Sequence, residues 1–236
     1  MSPLVGYELH DSIATITMDD GHVNVLALQM LTELDAALDR AAADRAVVVL
    51  SGREGIFSAG FDLRVLRAGG SEAIAMVRAG FELAERVLAF PTPIVVACTG
   101  HAVAMGTFLL LSGDHRVGAL GPYKFTANEV AIGLTMPFAA IEILRQRLAP
   151  AQFNRAAMLA EPFSPQAALE AGFVDQVVEP TEVQATARSV AVSLSALDMP
   201  AHFATKLRVR ARTLETLRAG IDADYATLRR AALSVS

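Results

Sequence analysis

The stretch Phe57-Ser58-Ala59-Gly60-Phe61-Asp62-Leu63 follows a short apolar run, Val47-Val48-Val49-Leu50, and precedes a predicted helix. A continuous apolar run of this length is typical of a strand that is covered on both faces. A strand, a loop of small residues and a helix start together leave backbone N–H groups free to meet an anion. Asp62 is predicted to cap the helix that begins at Leu63. Taken alone, the pattern is more typical of an ordinary capped loop.

A second stretch of the same kind, Gly100-His101-Ala102-Val103-Ala104-Met105-Gly106, follows the apolar run at 94–98. Its small residues allow backbone to approach a ligand closely, and the helix start after it leaves N–H groups without partners. By itself it is also only a tight turn. Two such turns after two strands, however, can direct their N–H groups to one oxygen, which is what an oxyanion hole requires.

Outside these turns, strand and helix patterns alternate in the first half of the chain, and this order favours an α/β fold with a mainly parallel sheet. Strands are predicted at 7–10, 14–18, 47–50 and 94–98, and helices over 28–38, 71–88 and 106–111. The second half is mostly helical, with helices predicted at 137–148, 151–160, 164–171, 182–197 and 200–233, the last broken near Gly220. We predict a core over 1–195 and a helical C-terminal extension over 196–236.

Composition excludes several classes of protein. The 236 residues are 53% hydrophobic and 19% charged, unlike a disordered chain. The net charge of −5, without any basic block, argues against nucleic-acid binding. No His or Cys pair has metal-ligand spacing, so we expect no metal. The apolar stretch at 94–111 is interrupted by glycines and His101, and no secretory signal pattern is visible, so we expect a cytoplasmic protein without a membrane span.

Several segments resemble motifs of the crotonase (enoyl-CoA hydratase/isomerase) superfamily. Residues 57–63 match the pattern F-[SC]-A-G-x-D-[LI], and 100–106 with Gly113-Asp114 resemble the glycine-rich turn and its following aspartate. Further matches are Phe125, Glu129, Gly133 and Pro137 to F-x-x-x-E-x-x-x-G-x-x-x-P, 167–178 to A-x-x-x-G-L-V-x-x-V, and 204–206 to A-x-K. Each match is weak alone, but they occur in the family's order over residues 5–215.

The resemblance implies a spiral core of ββα repeats with a helical C-terminal extension that takes part in oligomerisation or covers the substrate. It implies an acyl-CoA thioester as substrate, no cofactor other than the coenzyme A of that substrate, and a homotrimer or hexamer. It also assigns the two oxyanion-hole N–H groups to Phe61 and Met105 and a catalytic carboxylate to Glu129. Substrate contacts are implied for Val25, Ser58, Ala59, Gly60, Leu63, Leu66, Phe108 and Met136.

One departure from the family pattern bears on the chemistry. Enoyl-CoA hydratases hold a water between two glutamates, and this chain has Phe108 at the first glutamate position and Glu129 at the second. A single base suits the transfer of a proton between C2 and C4 of a 3-enoyl thioester. The resemblance therefore favours a Δ3,Δ2-enoyl-CoA isomerase. The alternatives are a hydratase that recruits Glu82 or Glu142, and a catalytically weak protein that binds acyl-CoA.

A basic segment near the C-terminus has two interpretations. Lys206, Arg208, Arg210 and Arg212 are predicted to form a solvated helix face. The alternative is that one of them meets a phosphate of coenzyme A.

Overall fold

The computed structural model describes residues 3–234. Its strands are β1 (Val5–His10), β2 (Ile13–Met18), β3 (Val47–Ser51), β4 (Gly55–Ser58), β5 (Ile94–Cys98), β6 (Gly100–Val103), β7 (His115–Ala119), β8 (Phe125–Thr126) and β9 (Gln176–Val178). Its α-helices are α1 (Leu28–Ala43), α2 (Leu63–Ala68), α3 (Gly70–Leu88), α4 (Met105–Ser112), α5 (Phe138–Arg145), α6 (Pro150–Leu159), α7 (Pro165–Ala171), α8 (Val183–Ser195) and α9 (Met199–Ser234).

The strands form a large and a small sheet. The large sheet has the order β1-β2-β3-β5-β7-β9 and is parallel except for the β1–β2 pair. The small sheet has the order β4-β6-β8 and is parallel throughout. Along the chain, a strand of the large sheet runs into a strand of the small sheet before a helix follows, as in β3-β4-α2 and β5-β6-α4. The predicted α/β fold with ββα repeats and a helical extension is confirmed.

The apolar runs of β3 and β5 are buried completely because both faces of the large sheet are covered. Val48 and Leu50 point into the main core, which α1 and α3 complete. Val47 and Val49 point to the other face, where α8 packs. This alternation explains why these strands are continuously apolar. The large sheet is therefore a rigid base for the loops at its edge.

The small sheet brings three loops together. The strands β4, β6 and β8 pair in parallel, with Ser58 opposite Ala102 and Val103 opposite Thr126. The carboxyl ends of all three strands therefore lie at one edge of the small sheet. The loops that follow them begin side by side at that edge. The sequence did not predict β4, β6 or β8, because strands of two to four residues depend on pairing with distant neighbours rather than on local pattern.

The C-terminal helix α9 is continuous and packs on α3 and α5. The predicted break near Gly220 is wrong. A Cβ atom at Gly220 would lie 3.0 Å from the Ala139 nitrogen, so the glycine lets α9 approach the start of α5. The carboxylate of Asp224 also accepts hydrogen bonds from the Phe138 and Ala139 amides, each at 3.0 Å. The proposed division of the chain between 195 and 196 stays a prediction.

The predicted solvated face of α9 is wrong for two of its four cations. Lys206 is only 6% exposed, and its Nζ donates to the Oδ2 of Asp114 at 2.7 Å. The Arg210 guanidinium lies 3.0 Å from the Oδ1 of the same carboxylate. Arg208 and Arg212 are exposed as predicted. The error arises because the buried counter-charge comes from the end of α4, far away in sequence.

Candidate active site

The two small-residue turns are in contact. Gly60 has a φ of +86°, which favours glycine, and a Cβ atom there would lie 2.9 Å from the Val103 carbonyl oxygen. The same Cβ would lie 3.1 Å from the Met105 nitrogen. Gly60 is thus required both for its backbone conformation and for the close approach of the second turn.

The backbone N–H groups without a protein acceptor in these turns include one from each side of this contact. Among the hydrogen bonds of residues 3–234, the amides of Phe61 and Met105 donate to no protein acceptor. Met105 opens α4, where the first N–H groups have no helical partner, and Ala104 before it has the unusual φ of 50° and ψ of −124°. Because the Phe61 nitrogen is bonded to Gly60, the two free amides lie close together.

Buried polar side chains hold the first turn in place. Ser58 has no exposed surface; its hydroxyl donates to the Asn24 carbonyl at 2.7 Å and accepts from the Gly60 amide at 3.1 Å. The Asn24 side chain donates in turn to the carbonyls of Met18 and Phe57. Sequence reasoning missed Asn24, and no local signal marks it, because its partners come from two other segments.

The second turn is held by Thr107, which is also fully buried. Its hydroxyl lies 2.7 Å from the Ala102 carbonyl oxygen and 3.0 Å from that of Thr126. Thr107 therefore links the turn after β6 to β8, the strand that leads to Glu129. This residue was also missed from the sequence.

Glu129 carries a buried carboxyl group with one unpaired oxygen. It follows β8 by three residues, is 7% exposed, and its Oε2 has no hydrogen-bond partner. Burial raises the pKa of this carboxyl group from its ordinary 4.5 to about 7. The adjacent Asn128 Oδ1 is likewise buried without a partner. The backbone here is well held, because the Glu129 carbonyl accepts from the amides of Ile132 and Leu134 at 3.1 and 2.9 Å.

An aromatic cluster lies behind the turns. Phe108 is 1% exposed and stacks on Phe81 with ring centroids 6.0 Å apart. The Phe81 and Phe61 rings are inclined at 74°, with their centroids 6.1 Å apart. Position 108 is therefore apolar and almost completely buried.

The two other carboxylates considered for a hydratase both form ion pairs with arginines. Glu82 accepts from Arg78 at 2.9 Å, and the Glu142 carboxylate lies 3.8 Å from Arg145. Each pair lies within one helix, so neither glutamate is an unpaired acid like Glu129.

The remaining predicted contact residues differ in exposure and position. Val25 forms a bridge with Gly60, and its amide donates to Asp20 at 2.9 Å. Ala59 is half-buried beside them. Leu63 is exposed and Leu66 half-buried on α2, while Met136 is buried before α5. No cluster of three or more His, Cys, Asp or Glu side chains that could hold a metal ion occurs within 3–234. Over that range, no helix is both long and apolar enough to cross a membrane.

Comparison with known proteins identifies the family. The family profile described as enoyl-CoA hydratase/isomerase matches residues 8–232. The chain therefore belongs to the enoyl-CoA hydratase/isomerase family, that is, to the crotonase superfamily, as the sequence motifs indicate.

Similar proteins carry both names. The apo structure of an enoyl-CoA isomerase from Mtb has 49% sequence identity and a TM-score of 0.92, covering 96% of this chain and 99% of that one. An enoyl-CoA hydratase from Mycobacterium marinum also has 49% identity, with a TM-score of 0.91 and coverage of 94% and 98%. Human mitochondrial enoyl-CoA delta isomerase 1 is 34% identical over 90% of this chain and 72% of its own length. The chain is thus similar to proteins named for either reaction.

Proposed function

We propose that this protein is a Δ3,Δ2-enoyl-CoA isomerase that uses Glu129 as its single carboxylate base. The observation that carries the proposal is the buried Glu129 carboxyl group, whose Oε2 has no partner, in a chain with Phe108 at the first glutamate position of a hydratase. A buried acid without a partner is costly to the fold, and such groups are found where chemistry requires them.

In the proposed reaction, the thioester oxygen accepts hydrogen bonds from the Phe61 and Met105 amides. Glu129 removes a proton from C2, and the electron pair of the broken C–H bond enters a dienolate whose charge rests on that oxygen. The 3,4 double bond then becomes a 2,3 double bond as Glu129 returns the proton to C4. Each backbone donor of this kind typically contributes about 2.7–4 kcal/mol to transition-state stabilisation.

The raised pKa of Glu129 suits both halves of this cycle. With a pKa of about 7, a substantial fraction of the carboxyl groups is ionised at neutral pH and can accept the C2 proton. The resulting carboxylic acid is also stable in its buried surroundings, so it can hold the proton until it is returned. A carboxylate with an ordinary pKa would be a weaker base for this step.

Hydration of a 2-enoyl-CoA is the second candidate, because a 49% identical relative is named a hydratase. Hydration requires a water polarised between two carboxylates. The buried Phe108 ring supports isomerisation instead, since it offers that water no hydrogen bond. Substrate contacts are proposed from Val25, Ala59, Gly60, Leu63, Leu66, Phe108 and Met136, whereas Ser58 supports the turn from behind.

A panel of 3-enoyl-CoA and 2-enoyl-CoA esters of several chain lengths tests the proposal. We expect conversion of 3-enoyl to 2-enoyl esters, read by absorbance and mass spectrometry, with little addition of water to the 2-enoyl esters. Robust hydration of crotonyl-CoA would show that the protein is a hydratase. Tight binding of acyl-CoA without either conversion would identify a binding protein.

We also propose a cytoplasmic homotrimer or hexamer that needs no cofactor apart from the coenzyme A of its substrate. The exposed apolar side chains of Val130, Ile132, Leu134 and Phe138 support self-association, because they form an apolar segment that a second copy can bury. Sedimentation at micromolar concentration should give a trimer or hexamer, and a stable monomer would contradict this part of the proposal. Cell fractionation tests the location, and turnover after exhaustive dialysis tests the cofactor requirement.

A further inference from the structure

Gly80, in the middle of α3, faces the first turn. A Cβ atom on Gly80 would lie 2.4 Å from Cε1 and 2.5 Å from Cζ of the Phe61 ring. Real Cβ contacts are essentially never shorter than 3.0 Å, so the ring occupies the space that any larger residue would need. Glycine within a helix is destabilising relative to alanine, so its presence here needs a reason.

The Phe61 ring has little room to move from this position toward the buried aromatic cluster. It packs in a T-shaped arrangement with Phe81, which is 2% exposed and stacks on the buried Phe108. The Cγ atom of Met105 lies 3.5 Å from the same Cβ position on Gly80. The absence of a side chain at Gly80 leaves a space, here called the notch. The side chains of Phe61 and Met105, whose amides donate to no protein acceptor, both border it.

We infer that Gly80 is a positioning residue for the pair of amides: its notch seats the Phe61 ring and so fixes the Phe61 amide beside that of Met105. This inference rests on the proposed function, which assigns the thioester oxygen to those two amides. With a methyl group at position 80, the ring must leave the notch. Because Phe81 lies against the ring and Phe61 stands between Gly60 and the capping residue Asp62, we expect a displaced ring to shift the backbone that carries the amide.

A double-mutant cycle tests this inference. Gly80→Ala should lower kcat for a 3-enoyl-CoA by about tenfold to a hundredfold, the range that small misplacements of catalytic groups can cost. Phe61→Leu lacks the ring atoms in conflict but also leaves the space beside Gly80 unfilled, so alone it should lower kcat by less than Gly80→Ala does. The double variant should return to within about threefold of Phe61→Leu, because the clash is gone.

Gly220→Ala is the matched control. Gly220 is also a helical glycine in close contact, but with the start of α5 rather than with the Phe61 ring. It should lower the melting temperature without the loss of kcat. Full activity in Gly80→Ala, or a loss that Phe61→Leu does not relieve, would overturn the inference. An equal loss of kcat in Gly220→Ala would also overturn it, since the effect would then reflect general crowding.

The same cycle measured by calorimetric binding of a 2-enoyl-CoA separates this inference from the proposed function. If the wild-type protein binds the thioester but isomerises nothing, the proposed function fails. Coupling between positions 61 and 80 in binding would then still support the seating of the ring. Absence of coupling in both binding and turnover would remove the role given to Gly80.

Discussion

Two largely shielded carboxyl groups of this protein have opposite surroundings. Asp114, just before β7, accepts a hydrogen bond from the Ile94 amide at 2.8 Å and contacts Lys206 at 2.7 Å and Arg210 at 3.0 Å. Glu129 has no cation nearby, and its Oε2 has no partner. Both lie within the same core, yet only Asp114 has its charge compensated.

The difference separates a structural acid from a proposed functional one. The Asp114 cluster joins the C-terminal helix to α3 and β5, because Lys206 also donates to the carbonyls of Phe90 and Thr92. The Glu129 side chain links no other segment to the fold, and its ionisation lowers the stability of the folded state. A buried acid without a compensating charge is expected at a site where it contacts substrate or transfers a proton.

The largest effect is expected from Glu129→Gln. The substitution keeps the size of the side chain but removes the base, so kcat for 3-enoyl-CoA should fall by about 10²–10⁴-fold while KM changes little. Steady-state kinetics and acyl-CoA calorimetry measure the two quantities separately. Undiminished turnover would mean that Glu129 is not the base and that the contrast with Asp114 has no catalytic meaning.

Asp114→Asn should destabilise the fold by about 3–5 kcal/mol, because Lys206 and Arg210 would remain buried without a counter-charge. Urea unfolding at neutral pH measures the change. The control is Asp39→Asn, which removes an exposed partner of Arg86 and should cost less than about 1 kcal/mol. Similar values for the two variants would show that the cluster around Asp114 is not a structural centre.

Removing the charge at Glu129 should stabilise the fold, whereas removing it at Asp114 should destabilise the fold. Its pKa is about 7 in the fold against an ordinary 4.5, so the folded state holds the proton more tightly and wild-type stability falls as pH rises through this window. Glu129→Gln should therefore be more stable than the wild type by up to about 3 kcal/mol at pH 8.5, with little difference at pH 4. The exposed Glu72→Gln on α3 is the control. A pH-independent difference for Glu129→Gln would contradict the raised pKa.

The smallest effect concerns the pH profile of the wild type. If ionised Glu129 is the base, kcat/KM should fall about tenfold for each pH unit below about 7 and level off above it. Initial rates with a 3-enoyl-CoA between pH 3.5 and 9 give the profile. An inflection near the ordinary pKa of 4.5 would indicate that the base is solvated in the working enzyme.

Local patterns were sufficient to predict much of the fold. The runs at 47–50 and 94–98 are apolar because both sheet faces are covered, and that requirement is visible in the residues themselves. The Asp62 cap of α2 is confirmed by its hydrogen bond from the Arg64 amide at 2.8 Å. The family motifs also marked Phe61, Met105, Phe108 and Glu129, although their catalytic roles stay predictions.

The tertiary structure decided the features that join segments distant in the chain. The short strands β4, β6 and β8 are stable only as a paired sheet, and their pairing is what places the two turns and Glu129 at one edge. Asp114 and Lys206 are 92 positions apart, so nothing in the pattern around Lys206 distinguishes it from a solvated lysine. Gly80 and Gly220 look like helix weaknesses in the sequence, and only the packed helices show that each leaves room for another part of the chain. Local propensity is a property of neighbours in sequence, whereas compensation of charge and close approach depend on neighbours in space.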